Sequence, residues 1–250
     1  MDTDIQQAAL ALNRARKTVA LTGAGISVES GIPPFRGPGG LWEKYDPMKY
    51  AHVSAFEQNP AEVWQVLFLS LKRHLENARP NEAHLGLFRL QQMGKLQTVI
   101  TQNIDGLHQR AGNDDVIEFH GTFATYHCMD CSRPVLLADL IFDALPPRCC
   151  CGGVIRPDVV MFGEAIPFEA LQRSQVLAAT CDVMLVIGTS ATVEPAAHLP
   201  RLAKRSGALI IEINAEKTPL SRHISDVTLL GGAGAVMRQL LDALETEGGF

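Results

Sequence analysis

The run Val19-Ala20-Leu21-Thr22-Gly23-Ala24-Gly25-Ile26-Ser27 restricts the fold of this chain more than any other stretch. A β-branched and aliphatic segment reads as a buried strand, and it empties into two glycines, then a hydroxyl and a helix-like start. Glycines there let backbone amides approach a phosphate with no Cβ in the way, at the positive end of a helix dipole. The segment continues through Glu29-Ser30-Gly31-Ile32-Pro33 to Phe35-Arg36-Gly37. In the dinucleotide fingerprint G-x-G-x-x-G the third glycine would fall at Val28, and a proline-bearing polar loop stands where a clean helix belongs. Nor does an acidic residue close a second strand about twenty residues on. The pattern predicts nucleotide binding, but not for hydride transfer.

Strand-like and helical patterns alternate along the rest of the chain. Helical spacing predicts helices over 4–17, 61–77, 81–93, 167–179, 195–206 and 233–246. Strands are expected at Thr18–Leu21, Gln97–Thr101, Val116–Phe119, Asp182–Ile187, Ala208–Ile213 and Asp226–Leu230. Such alternation argues for an α/β fold, a parallel sheet covered on both faces. Residues 38–80 and 123–157 break it and are expected to form a smaller lobe, leaving 1–37, 81–122 and 158–250 to the sheet domain.

Composition excludes several classes. A net charge of −5 gives no general grip on nucleic acid or an anionic membrane. No apolar run approaches the ~20 residues of a membrane span. The start Met1-Asp2-Thr3-Asp4 lacks the basic and apolar regions of a signal peptide, so a cytoplasmic protein is expected.

Polar groups leaving the carboxyl end of a parallel strand sit where open α/β sheets bind ligands. After the strand at 97–101 come Thr101-Gln102-Asn103-Ile104-Asp105-Gly106-Leu107-His108. Asn103 can orient a ribose hydroxyl or a water, and Asp105 can accept from an amide such as that of nicotinamide. An isolated N-x-D more often caps the following helix. A second cluster nearby, Glu118-Phe119-His120-Gly121-Thr122, weakens that alternative. Of eight histidines, His120 has the best context for a neutral base: a strand end with a small following neighbour. His108, His84 and His198 lie in helical patterns and read as structural. Gly188-Thr189-Ser190 and Asn214-Ala215-Glu216 close two further strands, suiting ribose or phosphate contacts. The run Val159–Glu164 reads as a core strand or as an edge for an extended peptide.

Five of the six cysteines crowd into Cys128–Cys151, a spacing that suits metal better than disulfides. Cys128-x-x-Cys131 is followed after seventeen residues by Cys149-Cys150-Cys151. Gly152-Gly153 permits the tight turn of a metal knuckle, which assigns Cys128, Cys131, Cys149 and Cys151 as ligands of a structural zinc. Cys150 and His127 stay open as alternatives, and Cys181 reads as a core residue.

As a set, the motifs T-G-A-G-I-S, G-I-P-x-F-R, T-Q-N-I-D-x-L-H, H-G, the cysteine pairs, F-G-E, G-T-S and I-N resemble the sirtuin family of NAD-consuming protein lysine deacylases, from about Leu12 to Gly234. The resemblance implies a Rossmann-like sheet domain binding NAD, a small zinc-binding and helical lobe, and a cleft between them for NAD and an acyl-lysine protein or peptide. It implies His120 as catalytic base and Asn103 as the residue orienting ribose and water. Gly23, Ala24, Gly25, Phe35, Arg36, Gln102, Asn103, Ile104, Asp105, Gly188, Thr189, Ser190 and Asn214 would contact NAD. Met161, Phe162, Gly163 and Glu164, with Val193, would sandwich the peptide. Members that remove succinyl groups carry a tyrosine and an arginine on the helix matching 61–77, and here Leu67 and Ser70 stand in those places. The expectation is a monomer that removes acetyl and longer aliphatic acyl groups, with no direct binding to nucleic acid or membrane, releasing nicotinamide and O-acyl-ADP-ribose.

Overall fold

The computed structural model describes residues 3–37 and 39–247, with strands in the order β1 (Thr18–Thr22), β2 (Thr98–Thr101), β3 (Val116–Glu118), β4 (Gly121–Cys128), β5 (Pro134–Val135), β6 (Ile155–Val159), β7 (Val183–Ile187), β8 (Leu209–Asn214) and β9 (Val227–Leu230). β1 and β7 are buried along their whole length, as strands covered on both faces must be. Val183, Leu185 and Ile187 point to one layer with Leu12, Leu87, Leu90, Met237 and Leu240. Met184 and Val186 point to the other, with Ala178, Leu199 and Ala203. Six parallel strands result, in the order β3-β2-β1-β7-β8-β9. Strand order reverses beside β1, and the carboxyl ends of β1, β2, β7 and β8 open onto one crevice, the ligand position of such sheets.

A second sheet, β5-β4-β6, is antiparallel. It shares one hydrophobic cluster with the helical segment before β2: Leu41, Phe56, Trp64, Leu67 and Phe68 pack with Phe123, Tyr126, Ile155 and Met161. The Trp64 indole donates to the Ile155 carbonyl at 2.8 Å, so the largest side chain of that cluster leaves no buried donor unpaired.

Element types agree with the sequence patterns and several ends differ for local reasons. The first helix stops at Arg14, because the Arg16 and Lys17 amides donate to Asp182 Oδ2 at 2.8 and 2.9 Å. The helix expected over 61–77 is interrupted by a π-turn at Trp64–Phe68 before it resumes as Leu69–Asn77. The wider turn keeps Trp64, Leu67 and Phe68 all buried, a device common beside functional sites. His198–Arg205 begins three residues late, after a tight turn in which the His198 and Leu199 amides donate to the Pro195 and Ala196 carbonyls, each at 3.1 Å. The Val159–Glu164 run leaves the sheet at Val159, and Glu164 N closes a turn onto the Met161 carbonyl at 3.1 Å. No helix among the described residues is long and apolar enough to cross a membrane.

Candidate active site

The crevice is a cleft of about 680 Å³. It gathers Gly23, Ala24, Gly25, Phe35, Arg36, Gln102, Asn103, Ile104, His120, Gly188, Thr189, Ser190, Val193 and Asn214, together with Leu67 and Met161 through Glu164. These residues come from distant parts of the sequence and meet because the strand ends carrying them are neighbours.

The glycine segment works differently from a helix N-terminus offering free amides. Ala24–Ser30 is a 3₁₀ turn, and the Gly23 and Gly25 amides are already spent on the Ile187 and Gly188 carbonyls at 3.0 and 2.8 Å. What its glycines permit is contact between two backbones. A Cβ on Gly25 would lie 2.7 Å from Gly188 Cα, and Gly188 itself has φ +63°. The first strand's loop is thereby pressed onto Gly188-Thr189, forming a smooth cleft floor. The Thr189 hydroxyl accepts from Gln102 Nε2 at 3.0 Å, and its carbonyl accepts from Asn214 Nδ2 at 3.0 Å, so four strand ends are tied together.

His120 stands between β3 and β4. Its Nδ1 donates to the Gln102 carbonyl at 3.0 Å, which fixes the proton on Nδ1 and leaves Nε2 with its lone pair. Burial holds its pKa below the usual histidine range, opposed in part by that carbonyl. Here is an oriented imidazole, kept neutral at physiological pH and lining the cleft.

Beneath the floor lies a buried polar network. Asn103 Nδ2 donates to the Gly23 carbonyl (3.2 Å) and to Ser27 Oγ (3.1 Å), and Ser27 Oγ donates to Asp105 Oδ2 (2.7 Å). Asp105 Oδ1 accepts from the Leu107 amide at 2.9 Å, so this carboxylate does cap the following helix. It is absent from the cleft lining, and burial raises its pKa. The His84 and His108 rings meet at a tilt of 56°, centroids 4.9 Å apart, and His108 Nε2 meets Thr22 Oγ1 at 2.9 Å. Burial pushes the His84 pKa down to about 4 and that of His108 well below the usual range. Both are buried and absent from the cleft lining.

Phe162 bonds on both sides of its peptide to 51–53, its amide to Ala51 O and its carbonyl to Val53 N, each at 2.9 Å. Glu164 turns inward. Its oxygens take both Arg156 terminal nitrogens at 2.8 Å, and Oε2 takes the Met161 amide at 2.8 Å. Arg156, almost fully buried, also donates to the Val159 carbonyl at 2.6 Å and lies over the Phe56 ring. Sequence inspection missed Arg156; its one signal is a cation inside an apolar run just before F-G-E. Leu67, Phe68, Leu71 and Met161 give one arm of the cleft an aliphatic wall. Ser70 is not in that arm. The π-turn rotates it to a neighbouring cavity with His74.

The sulfurs of Cys128, Cys131, Cys149 and Cys151 all lie within 4.8 Å of one another, with Cys128–Cys151 and Cys131–Cys151 at 3.5 Å and Cys131–Cys149 at 3.9 Å. Thiolates around a tetrahedral zinc stand about 3.8 Å apart, given a Zn–S length of about 2.3 Å. Cys150 is outside this set, its sulfur accepting from Arg133 at 3.3 Å, and His127 is held by Asp158.

A sequence profile described as the Sir2 family matches residues 23–195, most of the chain. The chain belongs to the Sir2 family. NAD-dependent protein deacylase 2 of Pyrobaculum aerophilum is 46% identical over 235 residues, covering 94% of this chain and 93% of its own. Among solved Sir2 structures, a mutant in complex with 2′-O-acetyl ADP-ribose superposes with a TM-score of 0.91 at 40% identity, covering 100% of this chain and 99% of its own. A Sir2 complex with a p53 peptide and NAD⁺ gives 0.87 at 35% identity, covering 100% and 99%. The α/β sheet with its cysteine-bearing small lobe is thus the Sir2 architecture.

Proposed function

We propose that this Sir2 protein is an NAD-dependent protein lysine deacylase that releases nicotinamide and O-acyl-ADP-ribose. The observation that carries this is the single cleft in which an oriented, neutral His120 shares space with the Gly23–Gly25/Gly188 floor and an aliphatic arm. NAD is the second substrate. Gly23, Ala24, Gly25, Phe35, Arg36, Gln102, Ile104, Gly188, Thr189, Ser190 and Asn214 hold it, and the tight backbone contact at Gly25 fixes where its phosphates can lie. Asp105 acts from below, anchoring Ser27 and the start of the Leu107 helix.

The acyl-lysine carbonyl oxygen attacks the anomeric carbon, and the C–N bond to nicotinamide breaks with its electron pair leaving on the pyridine. A ribose hydroxyl then loses its proton to His120 Nε2 and adds to the acyl carbon. Asn103 orients the ribose and water. The amine then leaves as free lysine, water adds at the carbon so freed, and the bond from that carbon to the 1′ oxygen breaks, leaving the acyl group on the ribose hydroxyl of ADP-ribose. NAD itself supplies the electrophile, so no protein nucleophile is required.

Met161, Phe162 and Gly163, with Val193, hold the peptide. Glu164 acts through Arg156, keeping that turn in place. The aliphatic arm supports acetyl and longer alkyl chains. A succinyl group would meet Leu67 there and lose a charge-assisted partner. The four thiols would hold a structural zinc, which with four sulfur ligands has no open position for chemistry. We place the protein in the cytoplasm, where such thiols stay reduced, as a monomer acting on proteins or peptides.

The test is incubation with NAD and an acetyl-lysine peptide. Peptide-dependent nicotinamide release without NADH absorbance is expected, falling about 10²–10⁴-fold in His120→Ala while NAD still binds. Turnover unchanged in that variant, or faster on succinyl-lysine than on acetyl-lysine and decanoyl-lysine, would refute the respective assignment.

A further inference from the structure

Behind the aliphatic arm lies a second cavity of about 340 Å³, in the lower size range of small-molecule sites. Val28, Ile32, Pro33 and Leu41 give it an apolar wall, and Lys44, Tyr45 and Ser70 supply polar groups. No acid lines it. Of the two acids near Lys44, Glu43 accepts from the Gly39 amide at the cavity rim at 3.0 Å and Asp46 from the Met48 amide at 2.8 Å, so each carboxylate is engaged by a backbone amide. Among the described residues Lys44 forms no ion pair. His74 donates from Nδ1 to the Ser70 carbonyl at 2.8 Å, which spends its proton within the helix. A pocket with one apolar wall and an ammonium outside any ion pair at its edge is complementary to a chain that ends in a carboxylate.

Val28 connects this pocket to the active site. It lines both cavities and remains 46% exposed, the residue between the glycine floor and the second cavity. Leu67 and Leu71 face the cleft, while Ser70 and His74 of the same helical segment face the second cavity.

We propose that the second cavity binds an aliphatic carboxylate, its chain against Val28, Ile32 and Leu41 and its carboxylate on Lys44. Such a group can arrive as a free fatty acid or as the far end of an ω-carboxyacyl chain on lysine. The latter source rests on the deacylase reading; the former does not.

Octanoate is the probe for the first source, titrated by calorimetry into the intact protein. Saturable binding is expected, weakened about tenfold or more in Lys44→Glu, since a hydrogen bond to a charged group contributes about 1.5–3 kcal/mol. Lys44→Arg should retain it. Sebacoyl-lysine and decanoyl-lysine peptides probe the second source. A loss of kcat/KM in Lys44→Glu for the sebacoyl peptide alone shows that the carboxylate arrives on the substrate. Lys44-dependent octanoate binding, with both peptides turned over alike by both enzymes, shows that it arrives as the free acid. Octanoate binding that is unsaturable or equal in wild type and Lys44→Glu, together with sebacoyl turnover indifferent to the substitution, overturns the proposal. The binding arm needs no turnover, so a protein inactive on every acyl peptide would sink the deacylase reading and leave this site standing.

Discussion

Gly25→Ala should damage cofactor use far more than stability. Its Cβ would lie 2.7 Å from Gly188 Cα and 2.8 Å from Gly188 O. Non-bonded carbons settle at about 3.5–4.0 Å, so the two backbones must part by roughly 1 Å. Neither can yield easily. Gly25 N bonds Gly188 O at 2.8 Å, and Gly188 N bonds the Ile213 carbonyl at 2.9 Å across the sheet. Overpacking of this kind costs about 1–3 kcal/mol. At about 2–4 °C per kcal/mol for a chain of this size, that is a melting temperature lower by several degrees, with the fold retained. The displaced atoms form the cleft floor, where a shift of about 1 Å can lower turnover on the order of 10²-fold. Melting curves and nicotinamide release over a series of NAD concentrations read the two effects separately. A variant whose melting point stays within a degree of wild type, with unchanged KM for NAD, would show that the close approach of the two glycines does not shape the site.

Three further outcomes follow from the geometry. Burial lowers the His120 pKa, and the proposed mechanism requires it neutral, so kcat/KM should rise with pH on a limb lying below the free-histidine value of about 6.5 and then level off; a limb centred above that value would contradict it. His84, pushed down to about 4, stays neutral in the fold while the unfolded chain takes up its proton near pH 6.5. Its contribution is therefore present above the unfolded value and lost as pH falls towards the folded one, up to about 3 kcal/mol. Urea midpoints between pH 7 and 4.5 should fall, less steeply in His84→Gln. Glu164→Gln leaves Arg156 buried without its counter-charge, so stability should drop by about 2 kcal/mol, less than for a fully buried pair. KM for the peptide should rise while that for NAD holds, and equal rises in both would remove Glu164 from its peptide-side role.

Strand identity was legible because fully apolar runs such as Val183–Ile187 have no place except inside a doubly covered sheet. The cleft was legible because polar residues at strand ends, Gly23, Gln102, His120, Gly188 and Asn214, meet by topology alone. Rotational detail was not. Helical periodicity run through Trp64–Phe68 places Ser70 beside Leu67, whereas the π-turn admits one more residue and turns Ser70 elsewhere. The same spacing cannot say whether a glycine amide is offered to a ligand or spent on a neighbouring strand, and Gly25 does the second. The pairing of Glu164 with Arg156 was not legible either, because the two lie eight residues apart across a turn that no local pattern encodes. Nor could spacing separate Cys150 and His127 from the four converging thiols, since their partners Arg133 and Asp158 come from elsewhere in the chain.

The small antiparallel sheet has a mechanical role beyond holding sulfur. β4 starts at Gly121, directly after His120, and β6 ends at Val159, one residue before the Met161–Glu164 turn. Gly121 pairs with Val159, and Val160 N bonds the His120 carbonyl at 2.9 Å, so the two strands run as rails joined at the cleft, with the four thiols of the proposed zinc site at the far end. Emptying the proposed zinc site should let the rails slide, so that the imidazole and the Met161–Glu164 turn lose their alignment together. An oxidant reaching the exposed Cys131 or Cys151 would then silence chemistry it never touches.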